Sequence, residues 1–186
     1  MTASTGKRSM TDCVKLGVQM RVLGIDCGTE YTGYGVVDQH PNGRLEFVTA
    51  GAIHLPKRES MPKRLATVFT ELSRIIYQTL PRMVAIEEVF YSVNAKSALK
   101  LGQVRGVAML AASSASLEVA EYSPLSIKSA VVGYGRAEKL QVQHMVAHLL
   151  NLAEPPQPSD AADALAIAIC HLHTHATLAR YEVAGR

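Results

Sequence analysis

Five carboxylates in this sequence stand where chemistry could be done. Asp26 ends the apolar run VLGI, the neighbours Glu87 and Glu88 end MVAI, and Asp160 with Asp163 opens SDAADALAIAIC. At i and i+3, the two aspartates share one face of the first turn of a helix. If the two apolar runs are neighbouring strands, Asp26 and a glutamate project together, and a helix packed on that edge adds two more acids. Carboxylates gathered at one point repel each other and are tolerated mainly when divalent cations neutralise them. Oxygen-only donors favour Mg²⁺ or Mn²⁺ over zinc. Two such ions about 4 Å apart form the usual clamp for in-line cleavage of a phosphodiester. Each acid also has an inert reading. Asp160 and Asp163 fit a capping box and favour the helix dipole, and an acid at a strand end can simply be solvated. Along RMVAIEE, Ala85 and Glu87 share one face of a strand while Val84, Ile86 and Glu88 share the other. Only one of the two glutamates can therefore accompany Asp26.

The elements that must position these acids can be read from periodicity. Strands are expected at 21–27, 34–39 and 45–54, joined by short turns and therefore antiparallel. Leu65, Val68, Phe69, Leu72, Ile75 and Ile76 give a helix over 60–79. A strand at 82–87, a helix at 94–116 and a strand at 117–122 follow. Short helices are expected at 124–132 and 138–151, and after EPPQP a last helix at 160–175. The order βββαβαβ predicts an α/β domain with a mixed five-stranded sheet, antiparallel first and parallel after, flanked by helices. Residues 1–19 read as a flexible N-terminal extension, 20–176 as the domain and 177–186 as a C-terminal tail. Gly24, Gly28, Gly33 and Gly35 crowd around Asp26. They predict a glycine turn in which backbone doubles back beside the acids with no side chains in the way.

Bulk properties narrow the classes. A chain of 186 residues suits one domain with a full core. A net charge of +3 is compatible with nucleic acid only if basic groups gather on one face. Lys96, Lys100, Arg105, Lys128, Arg136 and Lys139 supply such charge in the second half, although charged helix residues are commonly just solvated surface. Three widely spaced cysteines, Cys13, Cys27 and Cys170, argue against a disulfide framework and for a reducing, cytoplasmic setting. No apolar run is long enough to cross a bilayer, and no signal-peptide pattern opens the chain.

Four segments in order, GIDCGTEYTGYGVV, AIEEVFYSVNAKSALKLGQVRGVAM, VVGYGRAEKLQVQHMVAHLL and PSDAADALAIAI, resemble the RuvC family of Holliday-junction resolvases over roughly residues 20 to 175. The resemblance implies an RNase H-like fold and a homodimer that cuts four-way DNA junctions as a step of recombination and repair. It implies two Mg²⁺ ions per active site, with Mn²⁺ able to substitute. It selects Glu87 over Glu88 and places the metal-binding and catalytic acids at Asp26, Glu87, Asp160 and Asp163. Lys128 and Lys139 match DNA-contacting lysines, with Arg136 adding charge beside them. Phe90 and Tyr91 match a loop that wedges into bases near the junction centre. RuvA and RuvB, the branch-migration proteins, are the implied partners, and no membrane is involved. One departure is Cys27, where the family commonly has proline.

Other readings stand beside this one. GIDCGTEYTGYG also resembles the first phosphate loop of actin-like ATPases, but the second phosphate loop and adenosine loop of that class are missing. A nuclease of the same fold acting on RNA, as in ribosomal-RNA processing, is the main alternative, and a junction-binding module without chemistry is another. Ala98, Gly102 and Gly106 form a small-residue helix face that fits either packing within the monomer or, by the resemblance, a two-fold dimer interface. His171 and His175 are spaced for a metal but lack a third ligand, and read as an ordinary helix end.

Overall fold

The computed structural model of the protein describes residues 19–88 and 95–184, with side chains described as far as residue 177. Strands β1 (Met20–Asp26), β2 (Tyr31–Gln39) and β3 (Leu45–His54) come first, then helix α1 (Met61–Thr79) and strand β4 (Met83–Glu87). Helix α2 (Ala95–Ser114), strand β5 (Glu118–Tyr122) and helices α3 (Pro124–Val132), α4 (Lys139–Leu149) and α5 (Ser159–Ala184) complete the chain. The strands form one sheet in the order β3-β2-β1-β4-β5. The β1/β2 and β2/β3 pairs are antiparallel, and the β1/β4 and β4/β5 pairs are parallel. This is the mixed sheet that the element order predicts.

Alternation along the strands divides the core into two layers. Val22, Met83 and Ala85 face Ile127, Val142, Leu165 and Ile169 on α3, α4 and α5. Leu23, Ile25, Val84 and Ile86 face Leu72, Ile75, Val104 and Ala108 on α1 and α2. Helix α1 buries Val68, Leu72, Ile75 and Ile76, spaced for one face, and stops at Leu80, which is left-handed with φ 48°. Helix α3 starts at an N-cap, Ser123 Oγ accepting from Ser126 N, with Pro124 at its first position, and ends on Gly133 at φ 93°. Where β1 begins, Arg21 clasps Asp38 of β2 through Nε at 2.8 Å and Nη2 at 2.7 Å, and also donates to Thr79 O.

Helix α5 lies directly across the sheet centre. Ala161, Ala162 and every residue from Ala164 to Leu172 are buried, as expected of a helix apolar on nearly all sides. Such close seating depends on bare backbone beneath it. A Cβ added at Gly24 would run into Ala164 O and lie 2.7 Å from Ala168 N, and one at Gly33 would run into Asp160 O.

Three expectations change here. Strand β2 begins at Tyr31, so Gly33, expected in the turn before residue 34, sits inside the strand as Gly35 does. They admit α5, a role that requires knowing what packs on that face. Helix α5 continues to Ala184, past the end expected near 175 and into the segment read as a tail. His171 is accordingly not at a helix end. It is 4% exposed, accepts or donates one hydrogen bond with Tyr122 Oη at Nδ1 (2.8 Å), and burial, with His175 beside it, lowers its pKa to about 4. It is a neutral core residue.

Candidate active site

The parallel register explains how two strands bring two acids together. Val22 pairs with Met83 and Gly24 with Ala85, and the ladder runs to Ile25 and Ile86. The next step places Asp26 beside Glu87 on the face that carries α5. Glu88 follows the last residue of β4, is exposed, and borders a second pocket with Asp26, Cys27, Glu87 and Arg105. The backbone of Glu87 is held on both sides. Arg105 Nε of α2 donates to its carbonyl at 3.2 Å, and the same guanidinium forms an ion pair with Glu121 of β5. Glu88 N donates to Tyr122 O at 2.8 Å.

Asp26, Glu87 and Asp163 line one cleft of about 240 Å³ together with Pro124, Ile127, Lys128, Lys139, Val142, Ala166 and Ile167. Asp160, one turn before Asp163, sits at its edge and acts on Asp26 through its charge. Burial, then the charges of Asp163, Glu87 and Asp160, push the Asp26 carboxyl up to about 7 from 3.8. Glu87 is raised as well, by burial first and Asp163 second, against the pull of Lys128 and Lys139. Lys139 Nζ meets Asp163 Oδ2 at 2.6 Å, and that hydrogen bond raises the lysine pKa. Burial pushes the Cys27 thiol up to about 12, so it stays protonated and inert.

The donor set is all oxygen, and its members oppose each other's ionisation. Both features fit hard divalent cations. As the side chains stand, no three acidic, histidine or cysteine groups among the described residues close tightly enough to hold an ion. The Lys139 ammonium already supplies one positive charge to Asp163.

The structure therefore gathers Asp26, Glu87, Asp163, Lys128 and Lys139 in one cleft, with Asp160 at its margin. Arg136 does not line the cleft; it is exposed on the loop between α3 and α4. Phe90 and Tyr91 lie outside the described residues. Sequence reasoning missed the anchoring role of Arg105, which bridges elements 18 and 16 residues away with no local signal. It also missed the seat for α5, for which Gly24 inside an apolar strand was a usable sign.

On helix α2, Gly102 and Gly106 are exposed, and a Cβ added to either would meet nothing within 4 Å. Leu99 and Leu110 on the same stretch are 71% and 56% exposed. Among the described residues, packing within the monomer, one of the two readings of this face, does not account for its glycines.

Known proteins resemble this chain over most of its length. The family model described as crossover junction endodeoxyribonuclease RuvC matches residues 22–171. The crossover junction endodeoxyribonuclease RuvC of Koribacter versatilis is 63% identical over 161 residues, covering 87% of this chain and 97% of that one. The Thermus thermophilus RuvC structure superposes with a TM-score of 0.80 at 32% identity, covering 86% of this chain and 98% of that one. T. thermophilus RuvC in complex with Holliday junction substrate gives a TM-score of 0.78 at 30% identity, covering 85% and 96%. The sheet order and flanking helices are those of the RNase H-like fold. With its acid cleft on that sheet and a match spanning nearly all the described residues, the chain belongs to the RuvC family of crossover junction endodeoxyribonucleases.

Proposed function

We propose that the protein resolves four-way DNA junctions by paired, metal-dependent nicks, with Asp26, Glu87, Asp160 and Asp163 as the catalytic acids. The observation that supports this most is the cleft itself: acids from β1, β4 and α5 on its floor and Lys128 and Lys139 on its wall. Lysines in that position hold a phosphate backbone without reading sequence.

The four carboxylates would hold two divalent cations, Mg²⁺ by choice or Mn²⁺ in its place. When bound, such ions lower the pKa of water and neutralise charge on the attacking and leaving oxygens. The chain's own part is positioning. β1 and β4 fix Asp26 and Glu87, α5 presents Asp163 and Asp160, and Lys128 and Lys139 orient the scissile phosphate. Water adds to phosphorus and the bond to the 3′ oxygen breaks. The products carry a 5′-phosphate and a 3′-hydroxyl, suited to ligation.

The open glycine face of α2 supports a homodimer in which two clefts meet a pseudo-two-fold junction. We place this activity in the cytoplasm, with RuvA and RuvB as the partners that deliver the junction. Among the described residues, no helix is long and apolar enough to cross a membrane.

The test is a cleavage panel with Mg²⁺ comparing a four-way junction, a fork, plain duplex and an RNA–DNA hybrid. Paired symmetric cuts in the junction alone are expected. Preference for the hybrid or for RNA would replace this reading with a ribonuclease of the same fold.

A further inference from the structure

Large hydrophobic side chains are left in water beside the cleft, and they are clustered. Leu125 is 63% exposed, Tyr134 47% and Leu140 65%. Tyr134 lies in the connection from α3 to α4, Leu140 in the first turn of α4 and Leu125 in the first turn of α3. The N-terminal half of α3 and the start of α4 lie at the cleft: Pro124, Ile127 and Lys128 of α3 and Lys139 and Val142 of α4 line it.

The ledge is built. Tyr134 Oη donates to Gln141 Oε1 at 2.8 Å, and the same oxygen accepts from Glu138 N at 2.9 Å as half of the α4 capping box. The ring is thus tethered to the first turn of α4 while much of it stays exposed. Leu125 lies on Gly135, where an added Cβ would come within 2.7 Å of Leu125 Cγ. Lys128 and Lys139 on the neighbouring helices line the cleft, Lys139 paired with Asp163, and Arg136 is exposed on the loop that carries Tyr134. Glu138, the acid at the N-cap of α4, is held through its backbone N–H, which donates to Gln141 Oε1.

A tethered, half-exposed aromatic ring between cations is the arrangement that stacks a nucleobase while its flanking phosphates are neutralised. A base inside a duplex has both faces covered by its stacked neighbours, so the occupant is a base freed from the stack, as an unpaired nucleotide is. We propose that Tyr134, backed by Leu125, is a stacking platform that positions an unpaired nucleotide next to the scissile phosphate. This rests on the junction-cutting reading above and adds a specificity-determining contact to it. Tyr134 touches a base and takes no part in bond making.

The test uses the full-length protein with Mg²⁺ replaced by Ca²⁺ for binding and retained for cutting. Four-way junctions carry a single 2-aminopurine at successive positions around the cut. Wild type and Tyr134→Phe are expected to change the emission at one position, and Tyr134→Leu, which keeps apolar bulk without an aromatic face, is not. Junction affinity for Tyr134→Leu should fall about tenfold, within the range for loss of one stacked base. An abasic residue at that position should reduce wild type to the level of Tyr134→Leu and leave Tyr134→Leu unchanged. No position that separates wild type from Tyr134→Leu, or equal losses in Tyr134→Phe and Tyr134→Leu, would overturn the platform while wild-type cutting stands. Absence of junction cutting by wild type would remove the underlying reading and the platform with it.

Discussion

Removing the charge of Asp26 should stabilise the metal-free fold, although it should destroy activity. In the folded chain this carboxyl titrates near 7, against 3.8 when unburdened by burial and by its acidic neighbours. Its contribution to stability is therefore fully present below the unfolded value and is lost as pH rises towards the folded one. Between those values the unfolded chain has released the proton and the folded chain has kept it. Each pH step there costs the native state about 1.4 kcal/mol. From about pH 4.5 to about pH 8 the loss comes to about 3 kcal/mol. For a chain of this size that corresponds to about 6–12 °C in Tm. The perturbation is Asp26→Asn, and the assay is thermal melting of both proteins in chelator across this pH range. The Tm of the variant minus that of wild type should grow by that amount as pH rises, which cancels any constant effect of the substitution. Mg²⁺ at about pH 8 should raise the wild-type Tm and leave the variant nearly unmoved. A difference independent of pH, or one that shrinks as pH rises, would refute the idea that mutual repulsion burdens these acids.

Other expectations follow from the same geometry. Lys128→Ala should lower the slope of log K against log salt for junction binding by about 0.9; Lys139→Ala should lower it less, because Asp163 already neutralises that ammonium. Gly24→Ala should cost about 3 kcal/mol or more in denaturant unfolding, since the methyl meets the backbone of α5 at Ala164. Gly106→Leu on the open face of α2 should leave the monomer folded and shift sedimentation from dimer to monomer at micromolar concentration; an unchanged dimer would place the interface elsewhere.

Much of this site is legible before any coordinates. Period-two alternation in MVAIE separates Ala85 and Glu87 from Val84 and Ile86, and the two core layers divide along that line. The spacing of Asp160 and Asp163 places both near the cleft because a helix turn does so whatever it packs against. Contacts set by tertiary neighbours left no such trace. HLHTH looks polar enough to end a helix, yet His171 is buried by a tyrosine 49 residues away on β5. Gly33 resembles a turn residue until α5 is laid over it. Lys139 reads as a phosphate contact, and its ion pair with Asp163 depends on how α4 crosses α5.

Cutting is assigned to the acids on the α5 face of the sheet. The most direct measurement compares single-turnover cutting of a four-way junction in Mg²⁺ by Glu87→Gln and Glu88→Gln, two neighbours that strand alternation sends to opposite faces. Glu87→Gln should lose orders of magnitude in rate while binding the junction and melting close to wild type. Glu88→Gln, altering an exposed side chain that borders a second pocket with Asp26 and Glu87 but not the cleft they share with Asp163, Lys128 and Lys139, should cut at close to the wild-type rate. A dead Glu88→Gln beside an active Glu87→Gln would contradict the claim.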